Sequence, residues 1–257
     1  MRQVPSAKLE NEKYVLLIGS GRLVRHITFY FSQLNIPIKH WARKFNSQTE
    51  LEPLANNSFR TLILIKDDAI EPFVEENLFL KQSKTFHCSG ALTIPGINCI
   101  HPLMTFTEDL YNPDFYSEIP WAYFEKNFNL KKFHDQLTNP SFYVEPQKKS
   151  LYHSLCVCSG NLVQLLWLEV FKLWSTNLEL PFDVLKPYLQ KNSDNFLNIP
   201  NPNLNNVTGP IVRKDFKTIS KNLDSLEDTS LKEIYIAILK TQLNNLELGQ
   251  IKNENHF

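Results

Sequence analysis

The chain has 257 residues, with 27 basic and 27 acidic side chains and a formal net charge of zero. A hydrophobic share of 42% describes a globular chain able to bury a sizeable core, and the balanced charge argues against a nucleic-acid or anionic-membrane partner, which needs a basic face. The 4 cysteines show no CxxC spacing and read as reduced thiols of a cytoplasmic protein, with neither a signal peptide nor a membrane span expected.

Residues before Lys13 read as a loose tail. Val15 to Ile18 then form a short apolar run that stops at Gly19-Ser20-Gly21. Beyond it Leu23, Ile27, Tyr30 and Phe31 fall near one face of a helix. Strand, glycine turn and helix open a dinucleotide-binding βαβ unit. The first glycine lets the chain turn sharply. The second lets a pyrophosphate approach the main chain at the helix N-terminus, where the helix dipole favours an anion. The third small residue of that pattern is Val24 here. Glycine turns also end many ordinary strands, so the later elements have to decide.

A second strand is expected over 36–41, followed by Arg43 and Lys44. An NAD-binding unit carries a carboxylate near this place for the ribose hydroxyls. A guanidinium and an ammonium suit a 2′-phosphate instead, which favours NADP, unless they belong to an ordinary solvated loop. The run 61–65 reads as a strand buried on both faces, and Asp68 with Glu71 as a capping box for a helix reaching Asn77. Strands follow over 85–87, 97–100, 119–124 and 142–144. This alternation predicts an α/β domain over 13–145, a Rossmann-like doubly wound parallel sheet.

From Pro146 the pattern changes. Leu151, Leu155, Cys158, Leu162, Leu165 and Leu166 recur at helical spacing and predict one long helix reaching Trp174. A helix over 182–197, an Asn/Pro-rich loop over 198–206 and a short helix capped by Asp215 come next. Ser230 and Glu233 make a capping box for the last helix, to about Leu248, with 250–257 frayed. The part spanning 146–248 is therefore all-α. It has more apolar face than it can bury alone, which points to a homodimer.

Several short motifs stand in one order: GSGR at 19–22, KDDAI at 66–70, HCSGAL at 87–92, HPLMTF at 101–106, LYHS at 151–154, GN at 160–161 and TGPIVRKD at 208–215. Together they resemble the Rossmann-like and DUF2520 domain-containing proteins. That group is similar to the 6-phosphogluconate and β-hydroxyacid dehydrogenase superfamily and to the pyrroline-5-carboxylate and ketopantoate reductases. The resemblance covers about 14–240. It implies an N-terminal NADP-binding domain and a helical C-terminal domain, like that of 6-phosphogluconate dehydrogenase, that builds a dimer. The chain departs from the family at Val24, where a glycine is usual, and at Lys66, where a proline is usual and a cation now stands near the phosphates.

Ligands in such folds gather beyond the carboxyl ends of the strands, where His87, Ser89, Gly90 and His101 fall. The histidines either donate to a substrate carbonyl or fix loops. His87, Cys88, Cys99 and His101 match no standard zinc spacing, so no metal is expected. In the dehydrogenase superfamily a Lys and an Asn on the long helix protonate and orient the substrate. Lys148 and Lys149 fall at the solvated start of that helix here, leaving His153 as the nearest titratable group and Asn161 further along. Gly160 reads as a close approach of another helix, and Arg213 either as an anion clamp or as the partner of Asp215.

The expected function is an NADP-dependent oxidoreductase acting on a small carbonyl, hydroxy-acid or imine substrate. Gly19, Ser20, Gly21 and Arg22 hold the pyrophosphate, Arg43 and Lys44 the 2′-phosphate, with Lys66 and Ser89 beside them. His153 serves as acid/base, Asn161 as orienter and Arg213 as clamp. The alternative is a catalytically inactive nucleotide-binding sensor or scaffold dimer, favoured by Val24 and by the missing lysine.

Overall fold

The computed structural model describes residues 13–203 and 206–252. The expected tail before Lys13 and the end of the expected frayed segment, 253–257, lie outside the described residues. The chain divides into two compact units, Met1–Gly160 and Asn161–Phe257.

In the first unit β1 (Val15–Ile18) leads through α1 (Arg22–Gln33) to β2 (Ile38–Trp41), and α2 (Leu51–Asn57) precedes β3 (Arg60–Ile63). α3 (Asp67–Glu76), β4 (Thr85–His87), β5 (Asn98–Pro102), β6 (Trp121–Tyr123), α4 (Leu130–Phe133), β7 (Ser141–Tyr143) and α5 (Lys149–Ser159) follow. The sheet order is β2-β1-β3-β4-β5-β6-β7. β1 pairs in parallel with β2 on one side and β3 on the other, so the winding changes direction there and opens a crevice at its carboxyl end.

Both faces of β1 are covered, as its unbroken apolar run requires. Val15 and Leu17 pack with Ile27 and Phe31 of α1, while Leu16 and Ile18 pack with Leu51 of α2 and Phe73 and Val74 of α3. Two points depart from the sequence reading. β6 runs antiparallel to β5, because the link between them carries a 3₁₀ turn (Pro113–Glu118) instead of a crossover α-helix and returns the chain from the same end. The expected Asp68–Glu71 box does not form: Lys66 is the cap residue of α3 and makes no side-chain bond.

The second unit holds α6 (Asn161–Asn177), α7 (Lys186–Leu197), α8 (Phe216–Ser225), α9 (Ser230–Gln242) and α10 (Asn245–Lys252). Ile219, Leu223, Leu239, Leu243, Leu248 and Ile251 form its core. Asp215 caps α8 as expected, its carboxylate accepting the Thr218 N–H at 3.1 Å. The Ser230–Glu233 box is absent, with Thr229 in the cap position and no side-chain bond. The last helix instead breaks at Leu243, and a reciprocal box forms where Asn244 and Glu247 accept each other's N–H at 3.0 and 2.9 Å.

The expected long helix divides at Gly160 into α5 and α6. Contrary to the sequence reading, the run Pro146–Asn177 is long enough, and over an 18-residue window with a mean hydropathy of 1.4 apolar enough, to cross a membrane. Gln164, Glu169 and Lys172 are too few to lower it. In the single chain five of its leucines, Leu151, Leu155, Leu162, Leu165 and Leu168, are exposed, Leu151 to 61% and Leu165 to 55%.

Candidate functional site

The turn after β1 is fixed by backbone sterics. Gly19 adopts φ +139°, and a Cβ there would lie 2.3 Å from the Leu64 carbonyl oxygen, so only glycine fits. Its N–H donates to the Trp41 carbonyl at 3.0 Å, and His40 Nε2 meets its own carbonyl. Gly21 caps α1 with ordinary φ −85°, and no atom lies within 4 Å of a Cβ built on it. Val24 is buried against Gly19, a Cγ2 standing 3.2 Å from that same hypothetical Cβ.

The α1 N-terminus opens on a cavity of about 740 Å³. Its lining includes Gly19, Ser20, Gly21, Arg22, Arg43, Lys44 and Lys66, so the glycine turn and the basic residues expected at the phosphates share one crevice. Phe106, from the loop between β5 and β6, also lines it; it ends the HPLMTF motif, which the sequence did not assign to the crevice. That loop is tied to α1 by buried His26, which bonds the Tyr116 hydroxyl at 2.7 Å and the Thr107 carbonyl at 3.0 Å.

The two arginines of this cavity stand beside carboxylates. Arg43 donates to Glu76 at 2.9 Å and lies 5.3 Å over the Phe73 ring, and Arg22 is 3.6 Å from Glu108. Such exposed pairs are worth about 0–1 kcal/mol, so a phosphate can replace either carboxylate. Ser89 does not line the cavity. Its hydroxyl donates to Asp67 at 2.6 Å and accepts the Leu92 N–H at 3.1 Å, which ties the loop after β4 to the start of α3.

A second cluster sits where β4, β5 and α5 meet. His101 Nδ1 bonds the Tyr152 hydroxyl at 2.8 Å, and the His101 and His153 rings stand edge to face with centroids 6.1 Å apart. A Cβ on Gly90 would lie 2.4 Å from His153 Cδ2 and 3.0 Å from His101 Nε2, so the absence of a side chain at Gly90 admits both rings. Burial pushes the His101 imidazole down to about 4 and His87 down to about 3, with the nearby Lys149 charge adding to both shifts. Burial raises the Tyr152 hydroxyl well above its usual range. Among the described residues no group of three or more His, Cys, Asp and Glu side chains is placed to hold a metal.

Lys149 corrects the sequence reading. It is 2% exposed rather than solvated. Its ammonium donates to the Leu92 carbonyl and lies 4.4 Å over the Phe124 ring. A lysine at a helix start carries no sequence mark of such burial. Asn161 and Arg213 belong to the second unit, where both are exposed. The Asp215 carboxylate there serves Thr218, and Arg213 acts on it only as a nearby charge.

Residues 125–241 match the family described as Domain of unknown function (DUF2520). No curated protein matches the chain in sequence. Among solved structures, a Bacteroides fragilis protein described as an NADP oxidoreductase aligns with a TM-score of 0.68 at 18% identity, covering 90% of this chain and 97% of that one. A Thermotoga maritima protein aligns at 0.63 with 22% identity, covering 93% and 99%. An imine reductase from Myxococcus stipitatus, solved in complex with NADP+, aligns at 0.62 with 12% identity, covering 93% and 96%. Residues 125–241 thus match a DUF2520 domain, and the chain has a Rossmann-like fold with a helical C-terminal part.

Proposed function

We propose that this protein is an NADP-dependent oxidoreductase acting on a small carbonyl, hydroxy-acid or imine compound. The observation that carries the reading is the shared crevice: a glycine turn with an open helix N-terminus and Arg43 and Lys44 on one lining. The residues fit the cofactor, because Gly19 admits no side chain and the space over Gly21 is clear for a pyrophosphate. Ser20 and Arg22 flank that place, Arg43 and Lys44 receive the 2′-phosphate, and Lys66 adds a cation. When bound, NADPH supplies a hydride to an electrophilic carbon. His153 delivers the proton to the oxygen or nitrogen of the same bond and regains it from solvent. Asn161 orients the substrate and Arg213 holds an anionic group on it. Ser89 acts indirectly, through Asp67 at the start of α3.

In this reading 13–145 forms the cofactor domain and 146–248 the dimerisation and substrate domain. A second copy of the chain covers the exposed leucines of α5 and α6. The 4 free cysteines and the zero net charge support a cytoplasmic home. A second reading, a nucleotide-binding sensor or scaffold dimer without turnover, is favoured by Val24, which fills the third small-residue position.

Calorimetric titration with NADPH and NADH tests the assignment. NADPH is expected to bind more tightly, and Arg43→Glu to remove that preference while leaving NADH affinity unchanged. Equal affinity for both in the wild type refutes the 2′-phosphate role, and no binding of either refutes the cofactor site. With binding established, loss of turnover in His153→Ala separates enzyme from sensor.

A further inference from the structure

A second cavity, of about 110 Å³, lies between β4, β5 and the start of α5. His87, Cys99, Phe124 and Lys149 line it, with the exposed Glu125 also on its wall. Two of its polar groups, His87 and Lys149, are all but closed off from solvent. His87 is 0% exposed, and its Nδ1 accepts the Ser89 N–H at 3.2 Å. That bond fixes the tautomer, so the proton sits on Nε2. This Nε2–H donor has no hydrogen-bond partner among the described residues. Burial keeps the ring neutral, so the donor persists across ordinary pH.

Lys149 poses the complementary problem. Its ammonium is buried on the Leu92 carbonyl, the Phe124 ring and the Cys99 thiol, and it forms no ion pair among the described residues. A buried cation without an anion is an unfavourable arrangement that an incoming negative charge relieves. Water alone would satisfy the imidazole N–H and leave the charge uncompensated. The volume is that of roughly three or four waters, which a carboxylate also fits. Lys149 is also the first residue of α5, an 11-residue helix, whose positive dipole end favours an anion.

We propose that the His87 Nε2–H and the Lys149 ammonium form a binding site for a carboxylate-sized anion. One oxygen accepts from the imidazole and the other from the ammonium, as charge-assisted bonds. The anion is either a free small carboxylate or the carboxylate end of a larger molecule, and the site does not depend on nucleotide binding.

The test follows the imidazole nitrogens of the full-length protein by NMR during titration with sodium formate, chloride holding the ionic strength constant. His87→Gln assigns the signal. A saturable shift of the His87 Nε2–H is expected, with affinity at least about tenfold weaker in Lys149→Met. A parallel butyrate titration separates the sources: binding like formate means a carboxylate end of a larger molecule, whereas binding by formate alone means a free small anion. A His87 signal unmoved by formate and butyrate means a buried water only and overturns the site, as does unchanged formate affinity in Lys149→Met. Should that variant not fold, the wild-type thermal midpoint decides: a rise with formate above that in equal chloride supports the site, and no difference overturns it.

Discussion

Replacing either glycine of the first turn by alanine adds one methyl group, but the two replacements should have opposite consequences. At Gly19 the methyl would enter a backbone region near φ +139° that side chains avoid, at a cost of about 1–3 kcal/mol. It would also stand 2.3 Å from the Leu64 carbonyl oxygen. That oxygen belongs to the end of the sheet, where the Leu64 N–H donates to the Ile18 carbonyl at 2.7 Å. Moving it weakens this bond and adds about 1 kcal/mol, for a total near 3 kcal/mol, a large share of an ordinary domain's stability. At Gly21 nothing lies within 4 Å and φ is ordinary. Alanine is a poorer cap than glycine, but it also restricts the unfolded chain, and the two effects cancel to within about 0.5 kcal/mol. Urea unfolding should therefore show Gly19→Ala strongly destabilised and Gly21→Ala unchanged. NADPH titration of Gly21→Ala should show weakened binding, because its methyl occupies the place proposed for the pyrophosphate. Gly19→Ala within 1 kcal/mol of wild type would refute the steric argument. Wild-type NADPH affinity in Gly21→Ala would refute the pyrophosphate placement.

Other consequences are equally direct. His87 and His101, held near 3 and 4 against an ordinary 6.5, stay neutral in the fold while the unfolded chain takes up protons. Stability is complete above pH 6.5 and falls as the pH drops toward 4, each histidine contributing a loss of about 2 kcal/mol between pH 7.5 and 5. Denaturant melts across that range should show the loss, reduced in His101→Gln. Asn139 is buried, donates to the Tyr116 and Ile119 carbonyls at 2.7 and 3.0 Å and accepts the Tyr30 hydroxyl at 2.6 Å. Asn139→Ala strands all of these groups and should lower the unfolding free energy by about 3 kcal/mol. Leu165→Glu should convert the proposed dimer to monomer in sedimentation, and a monomeric wild type would end that reading.

The opening βαβ unit was legible because its physics is local. Four apolar residues and two glycines at the right offsets leave few alternatives, and Val15–Ile18 is the observed strand. The direction of β6 was not legible, since the alternation of side chains is the same whichever way a strand runs. α2 escaped notice because it is 7 residues long and carries Pro53 and two asparagines. The capping boxes failed for a different reason. Asp67 and Asp68 both begin α3, and nothing local shows that Asp67 receives the Ser89 hydroxyl from 22 residues away. That Gly19, Gly21, Arg43 and Lys44 line one crevice was legible from their spacing. The burial of Lys149 was not, because it depends on the Leu92 carbonyl and the Phe124 ring, which only the folded chain brings to it.

Gly90 shows that a glycine can be required without any unusual backbone angle. Its constraint comes from the two imidazoles packed over it, His153 above all. The tolerance of one position is therefore set by the occupant of another. A chain that first lost the His153 ring would face only the His101 ring, 3.0 Å away, and could accept alanine at residue 90 at a lower cost, but could not then regain the His153 ring without first restoring glycine. The histidine and the glycine form a single heritable unit, 63 residues apart in the chain, and the order of substitution decides which intermediates fold.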